Sequence, residues 1–290
     1  MAENSRQIKT RIGTAKNIAK ITKAMEMVAA SKMRKAQEQA LKNRAYARAI
    51  SDSLQKIAGS TSNSLHPLLS QPEIGQDILV IISTNKGLCG GLNTNLFRQV
   101  NYWISEQTNP AVIAVGKKAI NFVSKTSLKL IAKFAEIPEQ VEPGDTLGVS
   151  SLMMEKFLSH EFKSVSIIYM DFINTISQKV RITRVLPIAP EETSADDLEI
   201  IPEIHKEYLF EPNPKKILND LLPYYVENSL YQMFLEAKAS EHSARMVAMK
   251  NASENANELV DELQLVYNKQ RQANITNELL DITTASLTLN

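Results

Sequence analysis

Near the start of the chain, apolar and small residues recur every three or four positions: Ile8, Ile12, Ala15, Ala19, Thr22, Ala29, Met33, Ala36 and Ala40. That is the period of one face of an α-helix, here predicted to begin at Asn4 or Ser5, either of which suits an N-cap. A second stripe, Ile18, Ile21, Met25 and Val28, predicts a second apolar face over residues 18–30, which a single partner helix cannot cover. The far end of the chain shows the same rhythm in Leu230, Phe234, Ala237, Ala244, Ala248, Leu259, Leu263, Val266 and Ala273. This helix is predicted to open at Asn213-Pro214, an N-cap with proline at the first helical position, and to kink at Pro223. Small residues in both stripes let two helices approach closely, and the heptad-like spacing predicts a left-handed supercoil.

The middle of the chain has a different pattern. Asp77–Thr84 is a continuous apolar run ending in a polar turn, as in a buried strand, and Ala111–Val115 and Val165–Tyr169 are similar. Lys179–Leu186 alternates, as in a more exposed strand. Helical stretches fall between these runs, at Asn93–Glu106, Lys117–Ser124 and Thr146–His160. Strand alternating with helix predicts a mostly parallel sheet with helices on its faces.

Glycine and proline mark the boundaries. Neither occurs between Thr14 and Ala58 or from Tyr224 to Asn290, and every proline lies between Pro67 and Pro223. As helices the two uninterrupted stretches would run roughly 65 and 100 Å, more than the diameter of a small domain, so they are expected to project from it. The expected organisation is an N-terminal helix over residues 1–58, an α/β domain over 59–212 and a C-terminal helix over 213–290. The fold class is α/β, with a long antiparallel coiled coil of the terminal helices.

Charge supports pairing the two ends. Residues 1–58 carry 13 Lys and Arg against 4 Asp and Glu, whereas residues 224–290 carry 5 against 9. The net charge of +1 conceals this polarity. No apolar run approaches the ~20 residues that span a bilayer, and the N-terminus lacks the apolar segment of a secretory signal. Its basic, acid-poor composition would suit a transit peptide, but the same residues already carry the helical pattern. The only cysteine, Cys89, can form neither an internal disulfide nor a Cys-based metal cage, and the four histidines show no metal-ligand spacing.

Candidate chemistry is sparse. Asn85–Asn93, directly after the first strand, is a glycine-rich strand-to-helix loop of the kind that holds phosphate at a helix N-terminus. Gly87, Gly90 and Gly91 fit neither GxxxxGK[ST] nor GxGxxG, so a structural turn requiring positive φ is the favoured reading. Lys32, Arg34 and Lys35, with further basic residues along the same helix, could face phosphate backbones, but there is no aromatic interleaving and no nucleic-acid module. Glu191, Glu192, Asp196, Asp197 and Glu199 form a Pro-flanked acidic loop with no apolar surroundings to tune a carboxylate. No GxSxG elbow occurs, and nothing in the sequence supplies a base for Cys89.

Four segments carry a family resemblance. Ile21-Thr-Lys-Ala-Met-Glu-Met-Val-Ala-Ala-Ser-Lys-Met-Arg34 and Lys86-Gly-Leu-Cys-Gly-Gly-Leu-Asn-Thr-Asn95 are two of them. Ser240-Glu-His-Ser-Ala-Arg-Met-Val-Ala-Met-Lys250 and Glu262-Leu-Gln-Leu-Val-Tyr-Asn-Lys-Gln-Arg-Gln272 are the others, the last followed by Ile275, Thr276 and Glu278. In this order they resemble the gamma subunit of bacterial F-type ATP synthases, and the similarity extends to about Ile282. Residues 283–290 match less closely. The similarity begins at the first residues, so no transit peptide is expected, and there is no cysteine-bearing regulatory insertion of the chloroplast type.

The resemblance implies a non-catalytic central rotor that couples proton flow through a membrane c-ring to ATP synthesis and hydrolysis. It implies a Rossmann-like domain at the base and a glycine loop that binds no nucleotide. The expected partners are three alpha and three beta subunits, the epsilon subunit and the c-ring, with no cofactor, metal or nucleic acid. The expected location is peripheral, on the cytoplasmic face of the bacterial membrane. Contact with the beta subunits falls to Arg271, Gln272 and Thr276, with Lys269, Glu278, Met25, Lys32, Arg34 and Lys35. Tyr208, Phe210 and Glu211 match the foot that meets the c-ring and epsilon. The rival readings are a free coiled-coil adaptor or nucleic-acid-binding protein, and a nucleotide-dependent enzyme using the Gly87 loop.

Deleting residues 224–290 is expected to leave the stripe of residues 8–40 as a large exposed apolar patch and to cause aggregation. Size-exclusion chromatography with light scattering checks this, and a soluble, helical truncation of undiminished thermal stability would contradict it.

Overall fold

The computed structural model of the chain describes residues 5–59, 66–70, 72, 74–188 and 213–288. Tyr208, Phe210 and Glu211, like the acidic loop from Glu191 to Glu199, lie outside the described residues. The chain divides into two compact units, Lys32–Ala244 and Met1–Ser31 with Arg245–Asn290. Two helices, α1 (Ser5–Gly59) and α5 (Pro214–Thr288), each contribute to both units, so the division cuts across the three sequence segments.

In the larger unit, five strands form one sheet: β1 (Gln76–Ile82), β2 (Ala111–Val115), β3 (Lys129–Phe134), β4 (Phe162–Phe172) and β5 (Gln178–Leu186), in the order β3-β2-β1-β4-β5. β1 pairs in parallel with both β2 and β4, β2 pairs in parallel with β3, and β5 closes the other edge antiparallel to β4. The helices α2 (Leu92–Glu106), α3 (Lys117–Val123) and α4 (Pro143–Leu158) connect the strands.

Alternation along β1 divides its side chains between two cores. Ile78, Val80 and Ile82 face a core with Val149, Met153 and Phe157 of α4 and Leu218, Leu222, Val226, Leu230 and Phe234 of α5. Leu79 and Ile81 face Leu92, Leu96 and Val100 of α2 and Ala119 and Val123 of α3. Both faces of the central strands are covered, which is why β1 and β2 read as unbroken apolar runs. β5 is an edge strand and keeps the alternating pattern.

The sequence pattern did not reveal β3. Its residues, Lys-Leu-Ile-Ala-Lys-Phe, are mostly exposed or half-buried, and the two lysines break the apolar run. Charged side chains are a common device for blunting an exposed sheet edge. The boundaries of the other elements agree with the predicted ones to within a few residues.

α5 is capped as expected: the Lys216 backbone N–H donates to Asn213 Oδ1 at 2.8 Å, and Pro214 occupies the first helical position. The helix continues without a break through Pro223. Within this unit α1 buries Met33, Ala36, Ala40, Ile50 and Leu54, the last against the sheet core. Ring edges and hydroxyls of Tyr46 and Tyr224 meet across α1 and α5, with centroids 6.0 Å apart.

The smaller unit is a helix pair. Ile8 and Ile12 of α1 pack on Val260, Leu263 and Tyr267 of α5, and further along α1 Ala19 O accepts from Ser253 Oγ at 3.3 Å. Sequence numbers rise on one helix as they fall on the other, so the helices are antiparallel. Ala15, Ala19, Ala29 and Ala256 are all buried. The seam on α5 differs from the predicted stripe. Leu259 and Val266 are 42% and 49% exposed, and Ala273 is exposed too. The buried line instead runs Met249, Ser253, Ala256 and Leu263, with Val260 and Tyr267 partly buried beside it. Serine, alanine and tyrosine hold positions that a search for large aliphatics passes over. The predicted second face of α1 is present and open: Ile18, Ile21 and Val28 are 48–60% exposed.

Phe234 is 1% exposed at the centre of the α5 contact with the sheet. Phe234→Ala is expected to destabilise the protein by about 3–5 kcal/mol, read from the urea midpoint. A loss below ~1 kcal/mol would mean that α5 contributes little to this core.

Candidate functional site

In an open α/β sheet, ligands bind outside the carboxyl ends of the strands where the chain reverses its direction of winding. Here that point lies between β1 and β4. The glycine-rich loop after β1 borders it, and its polar groups turn inward. Thr84 Oγ1 donates to Lys86 O at 2.7 Å, and Asn93 Nδ2 donates to Thr84 Oγ1 at 2.9 Å and to Cys89 Sγ at 3.3 Å. Asn85 bridges outward, donating to Ile137 O and accepting from the Lys117 backbone N–H. The loop therefore spends its polar side chains on its own framework. Positive φ occurs at Gly90 and at Leu88, not at Gly87 or Gly91, so the predicted turn requires left-handed backbone at only one of the three glycines. Among the glycines whose surroundings are described, the tightest is Gly116 after β2: a Cβ there would lie 2.4 Å from Ser83 O.

The crevice itself is filled. Ile82, Thr84, Asn93 and Met170 line one side, and α5 seats Phe234, Ala237, Lys238 and Glu241 in the other, leaving about 20 Å³. That is about the volume that holds one water, whereas small-molecule sites occupy roughly 300–1,000 Å³. Lys238 and Glu241 pair at 3.4 Å with both side chains nearly buried.

Of the basic cluster, Lys32 does not stand alone: it pairs with Glu139, which also takes Lys86 Nζ at 3.1 Å. One carboxylate thus joins α1 to the glycine loop. Arg34 and Lys35 are exposed, and Lys32 and Lys35 border a cleft of about 210 Å³ with Gln39, Lys238 and His242. In the smaller unit, Lys269, Arg271, Gln272, Thr276 and Glu278 are all exposed, and Met25 is half-buried. Thr276 Oγ1 donates to Gln272 O at 3.0 Å.

The most elaborate polar arrangement was not predicted. Glu236, 7% exposed, accepts from Arg44 Nη2 (3.2 Å) and Gln232 Nε2 (2.9 Å) at Oε1, and from the Tyr169 hydroxyl (3.2 Å) at Oε2. Gln232 is held in turn by Asn43 Nδ2 at 2.9 Å. Asp171, two residues along β4, pairs with Arg181 of β5 at 3.5 Å. Burial and the neighbouring Glu236 carboxylate push the Tyr169 hydroxyl well above its usual range. Burial and Glu236 also raise the Asp171 carboxyl, against the opposing pull of Arg181 and Arg44. The sequence signal was a single acid, Glu236, in the apolar row of α5; its partners are distant in sequence.

These features define a class: two long terminal helices, which also form an antiparallel pair, and an α/β domain in which one of them, α5, lines the crevice at the switch point. Comparison with known proteins agrees. The profile of the ATP synthase family, described as "ATP synthase", matches residues 4–289. The ATP synthase gamma chain of Dehalococcoides mccartyi is 43% identical over 282 residues, 96% of either chain, and that of Glaesserella parasuis is 42% identical over the same length and shares. Among solved structures, the central stalk and c-ring assembly of the Tetrahymena thermophila mitochondrial ATP synthase contains a similar chain (TM-score 0.63, 28% identity, 80% of this chain and 99% of that one). A chain of the Euglena gracilis mitochondrial ATP synthase shares the fold (TM-score 0.68, 22% identity, 98% and 94% covered). The chain belongs to the ATP synthase gamma chain family. Its role is that of the central rotor shaft of an F-type ATP synthase, as a subunit of an enzyme complex.

Proposed function

We propose that this subunit performs no bond chemistry and binds no cofactor, and that it works as an asymmetric shaft turned inside a ring of three alpha and three beta subunits. On this reading it stands on a membrane c-ring beside an epsilon subunit, attached peripherally at the cytoplasmic face of a bacterial membrane, and has no nucleic-acid partner. The single observation that carries the non-catalytic reading is the occupation of the sheet's crevice by Phe234, Ala237, Lys238 and Glu241. A nucleotide would have to displace a helix that is also core. No helix among the described residues is long and apolar enough to cross a membrane, in keeping with peripheral attachment.

Coupling then rests on differential contact. Each orientation of the shaft favours one conformation of each surrounding subunit, and that difference in interaction energy couples rotation to the exchange of states. A proton crossing supplies about 2.3 kcal/mol per 100 mV, so several crossings must be pooled through a stiff element before one ATP is released. The exposed face of Ile18, Ile21 and Val28 supports a surrounding partner, because an apolar face of this kind marks an interaction surface. Arg271, Gln272 and Thr276, with Lys269 and Glu278, are the proposed contacts with beta at one level, and Met25, far from them along the helix pair, is proposed at a second. Lys32, Arg34 and Lys35 are the proposed contacts at another, facing acidic groups. Tyr208, Phe210 and Glu211 are the proposed foot toward the c-ring and epsilon. Functionally the chain keeps three parts: helices over 1–58 and 213–290 and a base over 59–212.

The isolated chain is expected to show no ATPase activity and no stoichiometric ATP binding at micromolar concentration by isothermal titration. Binding at that level by pure monomer overturns the non-catalytic reading.

Arg271→Ala with Gln272→Ala is expected to leave the chain folded and the complex assembled but to slow ATP turnover. An exposed Arg can form a charge-assisted, two-pronged contact with a carboxylate, and each such bond lost is worth about 1.5–3 kcal/mol in the rotor position that uses it. Steady-state hydrolysis and proton pumping by reconstituted complex decide this; wild-type rates with intact assembly mean that the patch is only solvated surface.

A further inference from the structure

The network around Glu236 joins three elements by directional bonds, in addition to the apolar packing between them. Its carboxylate takes donors from α1 (Arg44), from α5 itself (Gln232) and from β4 (Tyr169), and Asn43 of α1 fixes Gln232. The other titratable groups nearby are Asp171 and Arg181. Two guanidiniums face two carboxylates: the Glu236 and Asp171 side chains are nearly buried, and those of Arg44 and Arg181 reach them from the surface, 47% and 61% exposed. Directional bonds distinguish one angular setting from its neighbours, because a hydrogen bond weakens steeply once its donor and acceptor turn out of line. An ion pair with one half-exposed partner is also weak evidence for stability, since solvent screens it and apolar replacements of similar volume are often neutral. The network is therefore better explained by what it fixes than by what it adds to stability.

We propose that Glu236 is the positioning residue of a torsional joint, fixing the angular setting of α1 and α5 against the sheet so that rotation passes between helices and domain without slack. This rests on the rotor-shaft role. The triple variant Arg44→Met, Tyr169→Phe, Glu236→Leu removes the joint without stranding a charge; Glu236→Gln is the milder companion, for use if the triple variant does not assemble. The assembled catalytic complex is fixed to a surface by its alpha and beta subunits. A bead is attached through a cysteine replacing Tyr102, an exposed residue of α2. Angular fluctuation of the bead at the ATP-waiting dwell then reads torsional stiffness.

The expected result is a variance about twofold larger in the triple variant, and a smaller increase in Glu236→Gln, with thermal midpoints near wild type. Val149→Ala, a destabilising change in the α4 part of the core, should leave the variance unchanged. Unchanged variance in the network variants, or equal broadening in Val149→Ala, overturns the joint. A wild-type bead that fails to turn with ATP overturns the rotor-shaft role instead, and the joint with it.

Discussion

The structure depends on one packing constraint: a sheet with two apolar faces must cover both, and here one cover is supplied from the far end of the chain. α2 and α3, which lie between strands in sequence, cover one face. The other is shared by α4 and by Leu218, Leu222, Val226, Leu230 and Phe234 of α5, all at most 2% exposed. Each such side chain contributes about 1.5–3 kcal/mol relative to remaining in water, an upper estimate because the unfolded chain is itself partly collapsed. α5 is thus a core element first. Its register on the sheet sets where the rest of its 75 residues begin.

The occupation of the sheet's crevice follows from the same contact. A doubly wound sheet normally offers its crevice to a ligand, and the loop after β1 retains a glycine-rich sequence suggestive of phosphate binding. Yet the α5 contact that completes the core also fills the crevice, and Thr84, Asn85 and Asn93 are satisfied by backbone and by one another. Lys86, which in a phosphate-binding loop would face the ligand, pairs with Glu139, to which Lys32 of α1 also binds. The loop has become part of the attachment of α1.

The sequence made visible whatever has a strong period or a local signature. The paired terminal helices, the α5 cap at Asn213 and strands β1, β2, β4 and β5 all carry such signals. β3 did not, because an edge strand with Lys129 and Lys133 lacks a continuous apolar run. The seam on α5 beyond residue 249 was misassigned because Leu259 and Val266 are conspicuous and Ser253 and Ala256 are not, although the latter are buried. The Glu236 network was invisible for another reason. Arg44, Tyr169 and Glu236 are brought together only by tertiary structure, and no spacing rule links residues separated by 67 and 192 positions.

The seam of the smaller unit has a consequence for the substitutions it can accept. Ala15, Ala19, Ala29 and Ala256 are already close to the smallest side chain a helix can carry, and all four are buried. A larger residue at such a position overpacks the interface, typically at a cost of 1–3 kcal/mol, and the only smaller one, glycine, weakens the helix by about 1 kcal/mol. These alanines have no conservative neighbour in either direction. The least chemically distinctive residues of the chain are therefore among the least replaceable.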